Sequence, residues 1–220
     1  MVCEGQTEET FVNRTIGPSL WSRNIFLHPR LIRTSRYSKG GALNGSRVLL
    51  YLRNTLRERH NIYVTTLFDL YGLPSDFPGQ QAAATNTDPL DRAVAVEAQL
   101  HAEAIQMAQC RDERFLPHIQ PYEFEALVFS ETERFAEVEP AWQTYLPRLA
   151  AIRNSAGGPE YINDGPETHP AARLQHLLRP RYNKLRHGIA LCDLVGLDRI
   201  RVQCSHFDRW LTRMETLPQL

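Results

Sequence analysis

No stretch of this sequence is apolar over the roughly 20 residues that a membrane-spanning helix needs. Its first residues also lack the pattern of a secretory signal peptide. Cysteine is scarce, and its positions show no CxxC spacing of the kind that binds zinc or carries redox chemistry. We therefore expect a cytoplasmic protein without a membrane partner, in which the cysteines are small core side chains. They are Cys3, Cys110, Cys192 and Cys204.

The sequence has no net charge either, since 25 basic and 25 acidic residues balance. No global field draws it to nucleic acid, so such a partner would have to be bound by a local patch. Lysine is nearly absent, because only Lys39 and Lys184 occur among the basic residues. A lysine kept in an arginine-rich chain indicates a site that needs a compact ammonium, unless the two positions survive by chance.

Several enzyme motifs are missing as well. The chain has no GxxxxGKS/T phosphate loop, so it should not hydrolyse ATP unaided, and it has neither a GxSxG elbow nor an HExxH zinc motif. Six histidines show no ligand spacing, and we interpret them as surface or capping residues. They are His101, His118, His169, His176, His187 and His206.

Strand and helix patterns alternate over the first 130 residues. The segment "NIYVTTLFDLYG" is rich in β-formers and ends at Asp69, whereas "NIFLHPRLIRT" and "RFLPHIQ" predict shorter strands. A long helix follows the capping residue Asp88, with Pro89 at its first position. The alternation predicts an α/β fold, a mostly parallel sheet flanked by helices. Residues 131–220 are predicted to be a helical extension packed on this core as part of one structural domain.

Two shorter helices and one apolar stripe are also predicted. Thr7 and Ser46 each carry a hydroxyl that can cap the start of a helix. The last helix repeats apolar residues at helical spacing, which predicts a core-facing side. These residues are Phe207, Trp210, Leu211 and Met214.

Acidic residues follow three of the predicted strands. Glu4 comes after an apolar start, Asp69 ends the third strand, and Glu123 and Glu125 follow the fourth. Because the carboxyl ends of parallel strands share one edge of a sheet, these side chains should meet there. Carboxylates at such an edge suit Mg²⁺ and phosphoryl chemistry. Each acid alone is more simply a solvated turn residue, so the predicted site depends on their conjunction.

Three segments, "CEGQTEETF", "FDLYG" and "PYEFEALVF", resemble the Toprim-like nuclease superfamily. More closely, the chain resembles a group of small bacterial Toprim-like proteins known only as a domain of unknown function (family 4276). The segments "YSKGG", "YGLPSDFPG", "PETHPAARL" and "CSHFDRWL" extend this likeness over nearly the whole chain. The resemblance implies a Toprim-like core in residues 1–130, related in fold to the overcoming-lysogenization-defect nucleases.

The resemblance also implies roles for single residues. Glu4 matches the acid/base or metal-binding glutamate of Toprim enzymes, Glu8 the helix acid of the overcoming-lysogenization-defect nucleases, and Asp69 the first acid of the DxD motif. Tyr71 stands where the second acid would be, so one ligand for Mg²⁺ or Mn²⁺ is missing or comes from elsewhere. The candidates are Asp76, Glu123 and Glu125.

Two basic segments are candidates for phosphate binding. Lys39 lies beside two glycines that let a phosphate approach closely, and it is our candidate catalytic lysine, although a plain surface loop explains it equally well. The segment "RLQHLLRPRYNKLR" could line a nucleic-acid backbone or form a solvated helix face. Its candidate nucleic-acid-binding residues are Arg179, Arg181, Lys184 and Arg186.

We expect a divalent-metal-dependent nuclease that hydrolyses phosphodiester bonds in DNA or RNA. The resemblance further implies an effector of bacterial antiviral defence that works with a separate AAA or ABC-type ATPase; assembly into a homo-oligomer is left open. One alternative is a non-catalytic Toprim-like subunit of an ATPase complex. Another is an enzyme that acts on a small phosphorylated substrate. A bound divalent metal would favour either enzyme, and a long basic groove would favour the nuclease.

Overall fold

The structure is a computed structural model that describes residues 1–32, 43–163, 165 and 167–220. The predicted phosphate-binding lysine, Lys39, lies outside these residues. Within them, no helix combines the length and the apolar character that crossing a bilayer requires.

The sheet is built around β3 (Val64–Asp69), whose six residues are all buried. β1 (Val2–Cys3) pairs with one edge of this strand, and β2 (Arg30–Leu31) pairs with β1 further out. β4 (Phe115–Leu116) and β5 (Ile119–Gln120) pair with successive parts of the other edge. All these pairings are parallel, which confirms the predicted sheet.

The predicted fourth strand is divided into β4 and β5 by Pro117 and His118. Proline has no N–H to donate to a ladder, so pairing stops there. The side chain of Thr66 in β3 replaces the missing backbone partner, because its Oγ1 accepts from His118 N at 2.9 Å and donates to His118 O at 3.0 Å. The break is therefore satisfied from within the sheet, and β5 resumes level with the end of β3.

Helices flank the sheet and make up all the regular structure described after residue 130. A π-helical segment (Val12–Ile16) joins the first two helices, and 3₁₀ segments connect many of the others. The helices are α1 (Gln6–Phe11), α2 (Gly17–Leu20), α3 (Gly45–Glu58), α4 (Gln80–Ala83), α5 (Pro89–Ala108), α6 (Phe135–Val138), α7 (Leu146–Ala156), α8 (Pro170–Leu177), α9 (Ile189–Val195), α10 (Leu197–Gln203) and α11 (Ser205–Glu215).

Three capping residues were predicted at helix starts, and one of them is confirmed. Asp88 caps α5 as predicted, since its Oδ1 accepts from the N–H groups of Leu90 and Asp91 at 2.7 and 3.2 Å. Two predicted caps are wrong. Asn44 rather than Ser46 caps α3, and Thr7 is buried inside α1, whose N-cap is Gly5 without a side-chain bond.

Two apolar layers enclose the sheet, and alternate residues of β3 point into each. Phe68 packs with α3 and α5 on one face, whereas Leu67 packs with α1 and the C-terminal helices on the other. The second layer joins the two predicted segments of the chain, because the ring of Phe11 lies 5.2 Å from that of Phe124 and 6.1 Å from that of Phe207. The apolar stripe of α11 is buried in this layer, which confirms that prediction.

A candidate acidic site at the carboxyl edge of the sheet

Glu4 and Asp69 lie at the carboxyl ends of two adjacent strands. Val2 and Cys3 pair with Thr66 and Leu67, so Glu4 leaves β1 beside the last residues of β3. Its Oε2 accepts from the backbone N–H of Asp69 at 3.3 Å. The two carboxylates thus meet at the same edge, where the sheet topology was expected to bring them.

Glu8 enters the same site from the first turn of α1. The helix begins directly after Glu4, and its buried side includes Glu8, which is 3% exposed. Gly5 makes this approach possible, because a Cβ at that position would lie 2.9 Å from Oε2 of Glu8. A glutamate on the strand-to-helix turn and one in the helix are therefore brought together by one tight connection.

Glu125 completes the acidic group from the segment after β5. Asp69 fixes the start of that segment, since its Oδ1 accepts from the N–H of Phe124 at 2.9 Å. Glu125 is fully buried, and its Oε1 has no hydrogen-bond partner among the described residues. A buried carboxylate in this state favours a nearby cation or a proton.

Lys184 places its ammonium among three of these carboxylates. Its Nζ lies 3.1 Å from Glu8 Oε1, 3.3 Å from Glu125 Oε2 and 3.7 Å from Asp69 Oδ2. The side chain comes from a π-helical segment (Lys184–Gly188) whose start is capped by Asn183. The acidic site is thus assembled from both predicted segments of the chain. We call Glu4, Glu8, Asp69, Glu125 and Lys184 the acidic site.

The pKa values of this group reflect burial against a single positive charge. Burial raises the pKa of Glu4, raises that of Asp69 well above its usual range, and raises that of Glu125 to about 7. Burial alone would lower the pKa of Lys184, but the neighbouring carboxylates raise it well above its usual range. The acidic site holds four carboxylates and one ammonium, which pairs with three of them, so the site keeps an excess of negative charge when its acids are ionised.

Glu123, predicted as a metal ligand, has other partners. Its Oε2 accepts from the N–H of Ala171 at 3.0 Å and lies 2.8 Å from Nδ1 of His169, which caps α8. The ring of Tyr71 stacks on that of His169, with the ring centroids 4.7 Å apart. Glu123 therefore anchors the start of α8 beside the acidic site. Asp76 is exposed in the loop before α4.

The predicted nucleic-acid-binding residues separate in space. Arg179, Arg181 and Arg186 are exposed, whereas Lys184 belongs to the acidic site. Arg179 donates to backbone carbonyls at the end of α8, the shortest bond being 2.7 Å to Leu178 O, and Arg181 donates to Gln175 Oε1 at 3.1 Å. These arginines thus flank the segment that delivers Lys184 to the site.

The interpretation of the histidines as surface or capping residues is wrong for three of them. His169 caps α8 as expected, but His118, His187 and His206 are buried. Two of these, His118 and His206, lie beside Glu97. No spacing along the chain could indicate this cluster, because its members are separated by 21 and 88 residues and meet only through the fold.

The family model described as "Domain of unknown function (DUF4276)" matches residues 3–215. The chain belongs to this family. The match spans the strands, the acidic site and the C-terminal helices together. No curated protein and no solved structure matches the chain.

Proposed function

We propose that this member of the family is a divalent-metal-dependent nuclease that hydrolyses phosphodiester bonds in DNA or RNA. The observation that carries the proposal is the convergence of four carboxylates and one ammonium at the carboxyl edge of a parallel sheet. We further propose that the fold is related to the Toprim-like nucleases, whose acids match this chain at Glu4, Glu8 and Asp69.

The residues of the acidic site suit Mg²⁺ or Mn²⁺. Hard cations take oxygen ligands, and the site offers carboxylates in excess of its internal positive charge. The Oε1 of buried Glu125, which has no hydrogen-bond partner among the residues that the structure describes, supports the same conclusion. Glu8, Asp69 and Glu125 would hold the ion once the ammonium of Lys184 turns from them toward the substrate, and the bound ion would polarise a phosphate oxygen as a Lewis acid.

Glu4 and Lys184 would act on the substrate. Glu4 is the more exposed carboxylate of the group, and its raised pKa makes it a better base than an ordinary glutamate, so it would accept a proton from the attacking water. Lys184 stays protonated because the carboxylates around it raise its pKa, so its ammonium would offset the charge that develops on phosphate.

A nucleic acid is the proposed substrate because the exposed arginines beside the site favour a polyanion. Arg179, Arg181 and Arg186 lie in the segment around Lys184, and guanidinium groups bind phosphate oxygens well. Lys39 is proposed as a further phosphate contact. A role in antiviral defence with a separate AAA or ABC-type ATPase rests on the family resemblance, and no ATPase motif occurs in the chain itself.

The first test compares two glutamate substitutions, Glu4→Gln and Glu9→Gln. Glutamine keeps the shape of Glu4 but removes its charge and basicity, so we expect cleavage to fall by about 10²–10⁴ with an unchanged melt. Glu9 lies in the first turn of α1 but does not belong to the acidic site, so Glu9→Gln should retain activity. The assay measures Mg²⁺- or Mn²⁺-dependent cleavage of plasmid DNA and bulk tRNA, with and without a co-purifying ATPase.

Undiminished cleavage by Glu4→Gln would exclude the proposed role of this residue. The second candidate function is a non-catalytic subunit, and two observations favour it. Lys184 already neutralises part of the acidic group, and Tyr71 replaces a DxD acid. If the wild type neither cleaves nucleic acid nor binds Mn²⁺ by calorimetry, this second function is the better account.

A further inference from the structure

Glu97, His118 and His206 form a cluster that the proposed function does not use. They come from the middle of α5, the break between β4 and β5, and the first turn of α11. Glu97 Oε1, His118 Nδ1 and His206 Nε2 all lie within 4.8 Å of one another. The side chains of the two histidines are 0% and 4% exposed, and that of Glu97 is 15% exposed.

The hydrogen bonds around His118 leave a lone pair directed at a carboxylate. His118 Nε2 lies 3.3 Å from Gln120 Oε1, which assigns the ring hydrogen to Nε2. Nδ1 then carries a lone pair 3.6 Å from Glu97 Oε1, and it has no hydrogen-bond partner among the described residues. Two acceptors that face each other in a buried site repel, unless a cation or a proton lies between them.

A proton on His118 is disfavoured by its surroundings. The ring is fully buried and stacks on Trp210 with centroids 4.3 Å apart. A neutral imidazole with a free nitrogen beside a carboxylate is the state in which histidine binds metals.

We propose that Glu97, His118 and His206 bind one divalent transition metal ion, for which Zn²⁺ is the best match. Two imidazoles and one carboxylate are a common ligand set for zinc. With zinc–nitrogen bonds of about 2.1 Å, two imidazoles on a tetrahedral ion have their ring centres about 5 Å apart. The centroids of His118 and His206 are 5.0 Å apart.

The surrounding contacts support these three ligands. Glu97 Oε1 is positioned by the N–H of Ile119 at 2.8 Å, and the backbone of His206 by Glu160 Oε2 at 2.9 Å. His206 Nε2 lies 2.8 Å from Glu97 Oε1, and its other nitrogen is unpartnered among the described residues. Binding would therefore require that the ring hydrogen of His206 move from Nε2 to Nδ1 and that the ligand atoms, which lie within 4.8 Å of one another, draw closer together.

The burial of the cluster indicates a structural rather than a catalytic ion. It leaves little room for a substrate, and its ligands connect α5 on one face of the sheet, the break between β4 and β5, and α11. A bound ion would cross-link these elements, so it should raise the free energy of unfolding by mass action.

The experiment uses the full chain, stripped with a chelator and then titrated with Zn²⁺ and with Co²⁺ in millimolar Mg²⁺, which occupies the acidic site. We expect one zinc per chain by calorimetry, a raised melting temperature, and visible Co²⁺ absorption typical of tetrahedral nitrogen and oxygen ligands. His118→Gln and His206→Gln should abolish all three signals. His101→Gln is the matched control, because His101 lies one turn beyond Glu97 on α5 and should leave them unchanged.

Two further variants keep the test decisive. Glu97→Gln retains an acceptor for Ile119 and lowers the charge, so it should lose zinc even if the histidine variants fail to fold. Glu125→Gln should retain it, which separates this cluster from the acidic site. Absence of zinc binding by the wild type, or binding that survives in folded His118→Gln and His206→Gln, would overturn the proposal and indicate a hydrogen-bonded histidine pair instead.

Discussion

Glu125 shows most clearly how a single residue in this protein is governed by burial. It is fully buried, the ammonium of Lys184 lies 3.3 Å from its Oε2, and neither of its oxygens has a hydrogen-bond partner within the described residues. An ion pair can offset desolvation only when both partners are well satisfied. Here one ammonium is divided among several carboxylates, so the protonated form of Glu125 stays accessible near neutral pH.

This balance predicts how stability depends on pH. The pKa of Glu125 is about 7 in the folded protein against an ordinary 4.5, so the folded state binds this proton more tightly than the unfolded chain does. The resulting stability is fully present below about pH 4.5 and is lost as the pH rises through about 7. We expect the free energy of unfolding to fall by up to about 3 kcal/mol over this window, measured by urea denaturation.

Glu125→Gln should flatten this dependence, although Glu4 and Asp69 act in the same direction and preserve part of it. Millimolar Mg²⁺ should also reduce the loss in the wild type, because a metal at the acidic site binds the ionised carboxylates. Glu58→Gln is the control, since Glu58 is exposed and pairs with Arg30 at 2.8 Å. A wild-type stability that is constant between pH 4.5 and 8 would contradict the assignment.

At the scale of elements, the break between β4 and β5 shows how one side chain replaces the backbone hydrogen bonds between two strands. Thr66 both accepts from and donates to the backbone of His118, and both groups are buried. Thr66→Val keeps the shape but leaves a buried N–H and a buried C=O unsatisfied. We expect a loss of about 1–3 kcal/mol in the free energy of unfolding, seen as a lower urea midpoint.

Thr55→Val is the matched control for this substitution. Thr55 is also buried, but its hydroxyl donates at 2.9 Å to Tyr51 O within α3, a carbonyl that the helix itself can satisfy. Loss of this hydrogen bond should lower the free energy of unfolding by well under about 1 kcal/mol. Equal effects of the two substitutions would mean that the Thr66 bonds do not hold the break together.

The elements that were predictable from the sequence are those with strong local signals. β3 has a run of β-formers, and Asp88 with Pro89 marks the start of α5. The meeting of Glu4 and Asp69 was predictable from the sheet topology, because each residue lies at the carboxyl end of a parallel strand. Lys184 could not be placed in that way, since it lies 59 residues beyond Glu125, at the start of a π-helical segment that is not preceded by a strand. The predicted Ser46 cap of α3 failed for a local reason. The side chain of the neighbouring Asn44 accepts from the N–H of Arg47 and caps the helix instead.

At the scale of the whole molecule, the C-terminal helices belong to the same core as the strands. Phe207 and Trp210 of α11 are buried against residues of the sheet and of α1, and Trp210 Nε1 donates to Thr65 Oγ1 of β3 at 2.8 Å. Lys184, from the same half of the chain, neutralises part of the acidic site. The extension therefore supplies both apolar cover and charge to the first 130 residues.

This arrangement predicts a single cooperative unit rather than a core with a detachable appendage. A fragment ending at residue 130 would expose one face of the sheet, including Leu67 and Phe124, and would leave the buried carboxylates without their ammonium. We expect this fragment to show no cooperative thermal transition, while the full chain unfolds in one step by circular dichroism and by tryptophan fluorescence. Trp210→Phe, which keeps the packing and removes one indole bond, should still unfold in one step at a lower temperature. A fragment 1–130 that melts cooperatively, or two separated transitions in the full chain, would show that the core folds without the extension.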